Sequence, residues 1–586
     1  MISARNIAHA EYIIDTSNAV EILVRGYRRT NRGRPTRVDV IRLLLIGLYL
    51  SISHRGNGTI RSAHRMLTEE ISVDEQIRLG VTELVDGVRK ILITETDFYS
   101  TEKKMCKALA YTTTSAPEID DETRAHRHNA IREYCDSLMD VSSSGPKSTS
   151  VAIDATGIWS WGRRGKDLSE LAENLGVPVG KPDTPDNPAP VCKPIPTEDT
   201  NDTNDTTASL VTGSNNSVSG ATTAGTVELD VEKRRDVDAG VGVKTKKSGG
   251  DEVFFGYHEH TMVAVADFSE KKNSVPPLIT RFELTSANSD VVNVTLNLLK
   301  RSPKPITDIV VDRHYSYKTV ARWKKQLEKL GINQHLDLRI TEHGFAESDR
   351  LRWAAGSAHC PATPDELGTI IRPANNGSDK DWERFRQRIA EREAYAMKRN
   401  QRPGVDGEHQ VQCPALAGAV GCPLRPGTEA AAIQDGLRIV DKPPNQATDG
   451  EPLPLCCTQS TVQVTPLEKV YKLQQIYYWG SKKWERMWNR RTTVEGSYGI
   501  RKNPNCENVR RGHFQVFGLV WIHIVMGLVN ASYNTRILNN WCESHPDHGL
   551  DNHPLLVNNN NDPSVIGTMA VTPAEYAQLM TLREAA

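Results

Sequence analysis

Three acidic residues of this chain stand where phosphodiester chemistry would need them. Asp154 ends the apolar run Val151-Ala152-Ile153, and Asp312 ends the run Ile309-Val310-Val311. A carboxylate so placed emerges where a buried strand reaches the surface, and two neighbouring strands of this kind would set their acids side by side. Taken singly, an aspartate after an apolar strand is also an ordinary turn residue. The third acid, Glu495, comes with companions. Trp488, Arg491, Glu495 and Lys502 are spaced three, four and seven apart, which at about 100° per residue puts all four within roughly 60° on one helix face. Such a face offers an aromatic ring, a metal-binding acid and two phosphate clamps. The plainer alternative is a solvent-facing helix in which Arg491 and Glu495 form an i,i+4 ion pair. Convergent carboxylates are what two-metal phosphoryl transfer requires, because two divalent cations about 3.5–4 Å apart must be held and charge-compensated.

These side chains need strands and a helix to position them. The sequence reads as strand STSVAIDATGIW, strand VFFGYHEHTMVAVADF, strand PLITRFELT, helix DVVNVTLNLLKR, strand ITDIVVD, helix YKTVARWKKQLEKLG and strand NQHLDLRI, an α/β pattern in the order β-β-β-α-β-α-β. Asp308 precedes its apolar run and belongs at the opposite strand end from Asp312. The segment WERMWNRRTTVEGSYGIRK reads as the helix carrying Glu495. Gly496 and Gly499 in it would cost a helix about 1 kcal/mol each relative to Ala, so they are expected to admit a DNA backbone or the sheet.

The motif Trp488-x2-Arg491-x3-Glu495-x6-Lys502 resembles the Tyr-x2-Arg-x3-Glu-x6-Lys signature of bacterial insertion-sequence transposases of the DDE class, matching at every step of the spacing. VAIDATG, FFGYHEHTMVAV and DIVVDRHYSYKTVARW are similar to that family's first-aspartate strand, the strand after it and its second-aspartate strand. The resemblance covers roughly residues 150 to 540. It implies an RNase H-like mixed sheet flanked by helices, with an insertion between the second aspartate and the glutamate. It further implies that Asp154, Asp312 and Glu495 bind two Mg²⁺ ions, with Mn²⁺ as a substitute, to nick transposon ends and direct the freed 3′ hydroxyl at target DNA. Trp488, Arg491 and Lys502 would then contact DNA, and synapsis of two terminal inverted repeats implies a homodimer. Trp488 stands where the family has tyrosine, keeping a stacking face and losing the hydroxyl. A catalytically inactive transposase-derived DNA-binding protein and an RNase H-like nuclease without strand transfer are the alternative readings.

At 586 residues the chain is too long for one ordinary domain. Residues 1–145 read as a helical, DNA-binding domain. The catalytic core falls in 146–175, 251–345 and 465–545, with a disordered insertion at 176–250, an irregular Cys-containing subdomain at 346–464 and a mostly polar tail at 546–586. Net charge is -1, but its distribution is uneven. Between Tyr27 and Arg65 the arginines Arg28, Arg29, Arg32, Arg34, Arg37, Arg42, Arg55, Arg61 and Arg65 meet only Asp39 as an acid. That basic arm suits docking on a DNA backbone; an ordinary helical domain with a solvated basic face is the bland counterpart. Mean hydropathy is -0.48, and the run Phe514–Val529 falls short of a membrane span. With no signal-peptide pattern, the expected place is the cytoplasm, on the nucleoid, with no membrane partner.

Within 346–464, Cys360, Cys413, Cys422, Cys456 and Cys457 supply soft ligands enough for a structural Zn²⁺. No CxxC knuckle is present, so scattered reduced thiols are the competing reading. His258 and His260 alternate along one strand, and a half-exposed strand face accounts for them without a metal. No P-loop or dinucleotide fingerprint occurs, which argues against ATP or NAD dependence.

Overall fold

The computed structural model describes residues 2–27, 37–146, 148–161, 236–245 and 251–556, apart from 288, 349, 375, 402, 405–406, 445–451, 511–512, 548 and 551–552, and adds residues 172, 173, 176, 178 and 179. Most of the expected disordered insertion, most of the tail, and Arg28, Arg29, Arg32 and Arg34 lie outside the described residues.

The first 145 residues are mainly helical, as their apolar periodicity predicts: α1 (Ala4–Thr16), α2 (Ala19–Tyr27), α3 (Val38–Arg55), α4 (Ile60–Glu69) and α5 (Val73–Arg78) come first. A hairpin follows, β1 (Thr82–Val85) and β2 (Val88–Ile91), which the helical reading missed. Its turn residues Asp86 and Gly87 both have positive φ, 52° and 76°, as an Asp-Gly hairpin turn demands. The Thr94–Asp97 capping box starts α6 (Glu95–Leu109), and α7 (Asp121–Ser142) closes the region.

The central sheet is mixed and open. It contains β3 (Ser150–Trp159), β4 (Gly240–Thr245), β5 (Asp251–Val265), β6 (Ile279–Ser286), β7 (Asp308–Val310) and β8 (Asn333–His335). Strand β5 pairs antiparallel with β3, β4 and β6, whereas β3, β7 and β8 run parallel. The helix α8 (Val291–Lys300) makes the crossover from β6 to β7. Alternation along β3 sends Val151 and Ile153 into one apolar core and Ala152 into another on the opposite face, the period of two that a strand covered on both sides requires. The helix expected after Asp312 is reduced to a 3-10 turn, Arg313–Tyr317, and a short α9 (Lys324–Lys329).

Residues 346–464 are more regular than their composition suggests. They form one three-stranded sheet, β9 (Ala346–Ser348), β10 (Leu351–Ala354) and β11 (Ser357–His359), and the helix α10 (Asp379–Ala394). A second small sheet joins β12 (Lys398–Arg399), β13 (His409–Gln412) and β14 (Thr461–Val464), with α11 (Thr428–Gln434) and α12 (Leu455–Thr458) in the connecting chain.

After the short α13 (Glu468–Tyr471), the segment bearing Glu495 is not one helix. It runs as α14 (Lys482–Trp488), a 3-10 turn at Asn489–Arg491 and α15 (Thr492–Arg501). The last described helix, α16 (Leu519–Ser544), is buried along most of its length. Its polar residues are used internally. Asn534 bonds both the amide and the carbonyl of Ile279 on β6, and His523 Nε2 accepts from the Leu284 amide at 3.2 Å. The N-terminal helices, α16 and one face of the sheet share a single core. Among the described residues no helix is long and apolar enough to cross a membrane.

Candidate functional site

The parallel pairing of β3 with β7 sets Ser150, Val151 and Ala152 opposite Asp308, Ile309 and Val310. Asp154 and Asp312 each lie two residues beyond the last of these pairs and so stand at the same level. Only Asp312 follows the end of its strand: β3 runs on to Trp159, and Asp154, expected at a strand end, sits within it opposite Thr261 of β5. Asp308 opens β7 at the far end, where it meets His335 Nε2 at 2.8 Å. Asp312 caps the 3-10 turn, its Oδ1 accepting from the His314 amide at 2.9 Å. His314 itself is exposed.

Helix α15 delivers Glu495 to this place. Tyr498 anchors the helix to β3 by donating to the backbone carbonyl of Asp154 at 2.6 Å, and Lys502 Nζ donates to Thr156 Oγ1 at 2.7 Å. Arg491 links the acids, with one guanidinium nitrogen 2.8 Å from Glu495 Oε1 and another 3.6 Å from Asp154 Oδ2. The i,i+4 pair foreseen as the plain alternative is therefore formed, but in a half-buried cleft and shared with Asp154. The break into a 3-10 turn does not scatter the motif. Residues three apart eclipse in a 3-10 helix, so Trp488 and Arg491 stay aligned across it.

The charges are closely coupled. Desolvation in the cleft pushes the Asp154 carboxyl up to about 7; Arg491 opposes this, while the negative charges of Asp312 and Glu495 add to it. Burial works against the charge on Arg491, yet Asp154, Glu495 and Asp312 together raise its pKa. Thus all three acids predicted from sequence act on one cluster, with a protein cation in their midst. Hard carboxylate oxygens suit Mg²⁺ or Mn²⁺ in kind. Among the described residues, however, no group of three or more His, Cys, Asp or Glu side chains stands arranged to hold a metal ion.

Trp488 stacks on Trp484, with ring centroids 5.2 Å apart and planes 10° from parallel. Arg372, from the insertion, lies over the other ring contact at 4.5 Å from the Trp488 centroid. The Trp488 Nε1 is buried without a hydrogen-bond partner. The indole thus fills the cleft wall as a buttress. Sequence reasoning missed Arg372, Tyr498 and Thr156. Only Tyr498 carried a local signal, as an aromatic three residues after Glu495 in the same helix; the other two reach the site through tertiary packing. Gly496 is exposed, and a Cβ built there would meet nothing within 4 Å, so its helix face is open rather than pressed on the sheet.

Two expectations change. The described arginines of the basic arm each have an acidic partner: Arg37 pairs with Asp39 and Asp97, Arg42 with Glu11 and Asp15, Arg55 with Glu70, Arg61 with Glu95 and Arg65 with Glu69. Acids distant in sequence fold back onto the run and leave this face closer to neutral than its composition suggests. The face bearing His258 and His260 is also less exposed than expected. His260 is buried, and burial, with His258 nearby, drives its pKa down to about 3.

The predicted zinc cysteines do gather. Cys360, Cys413, Cys422, Cys456 and Cys457 all line one small cavity in the insertion, and all nine cysteines among the described residues are free thiols. Comparison of the chain with protein-family models, with curated proteins and with solved structures finds no match.

Proposed function

We propose that the chain is a DDE-type DNA transposase, in which Asp154, Asp312 and Glu495 form the centre for metal-dependent phosphodiester cleavage and strand transfer. The observation that carries this reading is the meeting of the three acids: Asp154 within β3 and Asp312 just past the end of the adjacent parallel strand β7, at the same level, with the third on a helix tied to β3 by Tyr498 and Lys502. The order β6-β5-β3-β7-β8, with only the first two pairings antiparallel, supports an RNase H-like core. The insertion between Asp312 and Glu495 is in the place the family signature implies.

Divalent metal, when bound, supplies Lewis-acid activation of the attacking oxygen and stabilisation of the leaving one. The chain's own residues do the rest. Asp154, held up to about 7, gives up its proton when positive charge arrives beside it. Arg491 steadies Glu495 and is positioned to turn toward a phosphate. Lys502, held on Thr156, sets a second cation beside β3, two residues beyond Asp154. DNA ends and a target duplex are the substrates, and two copies of the chain are required to bring two ends together.

The test is cleavage and joining of a duplex carrying the terminal repeats of the parent element, with Mg²⁺ or Mn²⁺. Asp154→Asn, Asp312→Asn and Glu495→Gln are each expected to abolish cleavage and leave DNA binding nearly intact. Metal-dependent nicking retained in any of the three would refute the assignment. Cleavage without joining would identify a nuclease, and binding without cleavage by the unaltered chain would identify an inactive derivative.

A further inference from the structure

The insertion joins its two small sheets through one apolar cluster with Leu351, Trp353, Val411, Val462 and Val464, but is thinly packed elsewhere. One of its apolar clusters consists of Cys360, Leu367, Tyr395, Cys413, Ala415, Val420, Cys422 and Val440, in which the larger aliphatic side chains are few and the cysteines conspicuous. Small irregular units with so little apolar area generally need a covalent or metal staple. The described cysteines are free thiols, so no disulfide among them supplies that staple.

Position in the chain strengthens the case. Cys360 directly follows β11 and Cys413 directly follows β13, so these two thiols sit at the ends of the insertion's two separate sheets. Cys422 lies in the next loop, and Cys456 belongs to α12 immediately before β14. The shared cavity measures about 10 Å³, room for roughly one water-sized sphere. The Sγ atoms of Cys456 and Cys457 are 3.9 Å apart, so the two thiols occupy the same corner of the cavity.

Two of the loops share a local design. In Cys360-Pro361-Ala362-Thr363 and Cys422-Pro423-Leu424-Arg425 the first carbonyl accepts from the fourth amide, at 3.0 and 2.9 Å. Burial raises the pKa of both Cys360 and Cys422, and in each a backbone N–H two residues on, that of Ala362 or of Leu424, works against the rise. Proline at the second position presets the turn and removes the intervening N–H. A thiolate is the form that benefits most from such a donor, since hydrogen bonds to charged acceptors are the stronger ones. Cys413 also precedes a proline, Pro414. Positive charge is supplied nearby by Arg425, which is held by the carbonyls of Cys456 and Gln459.

We propose that Cys360, Cys413 and Cys422, with Cys456 or Cys457 as the fourth ligand, bind one structural zinc ion that clamps the two small sheets of the insertion together. As they stand the thiols surround the cavity without converging, so zinc binding requires side-chain rotation that draws four of them together. Such a clamp would fix Arg372, which projects from the insertion onto Trp488.

The full chain, expressed with zinc in the medium and purified without a metal-affinity step, should carry one zinc per chain by plasma mass spectrometry. Replacing that metal with cobalt should give the intense visible bands and thiolate charge-transfer absorption of a tetrahedral sulfur site, a readout that needs no variant. A Cys360→Ser/Cys422→Ser double variant should lose the metal. A folded, unaltered chain that takes up neither zinc nor cobalt would overturn the proposal. So would cobalt spectra without sulfur charge transfer, or a folded double variant with undiminished zinc.

Discussion

Arg491 lies 3.6 Å from Asp154 Oδ2 while holding Glu495 at 2.8 Å, yet its charge does not bring Asp154 down to the ordinary aspartate range. Desolvation and the neighbouring acids win, and the Asp154 carboxyl remains near 7. A group whose folded pKa lies above its unfolded value weakens the fold as it ionises. The loss develops as pH rises from about 4 to about 7 and is constant above. Asp154→Asn is therefore expected to stabilise the chain by on the order of 1–3 kcal/mol at about pH 8, an advantage that shrinks as the pH is lowered toward 4. Denaturant melts of both proteins across that window check it; a pH-independent difference would contradict it.

Lys502 reaches Thr156, two residues beyond Asp154 on the same strand. Lys502→Ala should weaken binding to element-end DNA and lower the steepness of its salt dependence by about one phosphate contact. Fluorescence anisotropy across a salt series measures both quantities, and an unchanged slope would exclude the contact.

Gly496 follows Glu495 on α15 with empty space where a Cβ would be. Gly496→Ala should raise stability by up to about 1 kcal/mol through helix propensity alone. If DNA approaches this open side, cleavage should fall in the same variant. Thermal melting and single-turnover cleavage on one preparation separate the two effects.

Glu283 on β6 is buried among His128 and Arg132 of α7 and Arg301, at 3.2, 3.1 and 2.8 Å. Burial pushes its carboxyl up, but the His128 hydrogen bond and the charges of Arg301 and Arg132 hold it well below the usual range. This contribution is complete above the unfolded value of 4.5 and disappears only as strong acid protonates the folded carboxylate. Glu283→Gln removes the acid from Arg132 and leaves Arg301 only Asp136, and should cost roughly 3 kcal/mol at neutral pH, read as a lowered denaturation midpoint.

Much of the central sheet was legible because its strands alternate or run apolar over enough residues to reveal a period. The same periodicity places Asp312 just beyond its strand, whereas Asp154, expected at a strand end as well, lies inside β3, which stays paired with β5 past the point where the apolar run stops. The motif around Glu495 survived a local change of helix type because spacing of three suits both helical forms. The β1–β2 hairpin went unread although Asp86-Gly87 announces it; the flanking apolar residues Val85, Val88 and Ile91 are exposed and mimic helical periodicity. The neutralisation of Arg42 by Glu11 and Asp15, the approach of Arg372 to Trp488 and the gathering of the insertion's thiols depend on segments brought together from afar. No spacing rule encodes such meetings.

Helix α16 bonds β6 on one side through Asn534 and His523 and meets α7 on the other, where Tyr134 donates to the carbonyl of Ile524. Apart from Leu555 and Leu556, it is also the last part of the described core to leave the ribosome. Until it arrives, the apolar backs of β6, α3 and α7 face water, and the strand bearing Asp154 lacks its support. A nascent chain that already contains every acid of the cluster is thus still unfinished at the layer beneath them, so premature termination before residue 519 should yield aggregation-prone fragments rather than a loose, DNA-cutting enzyme.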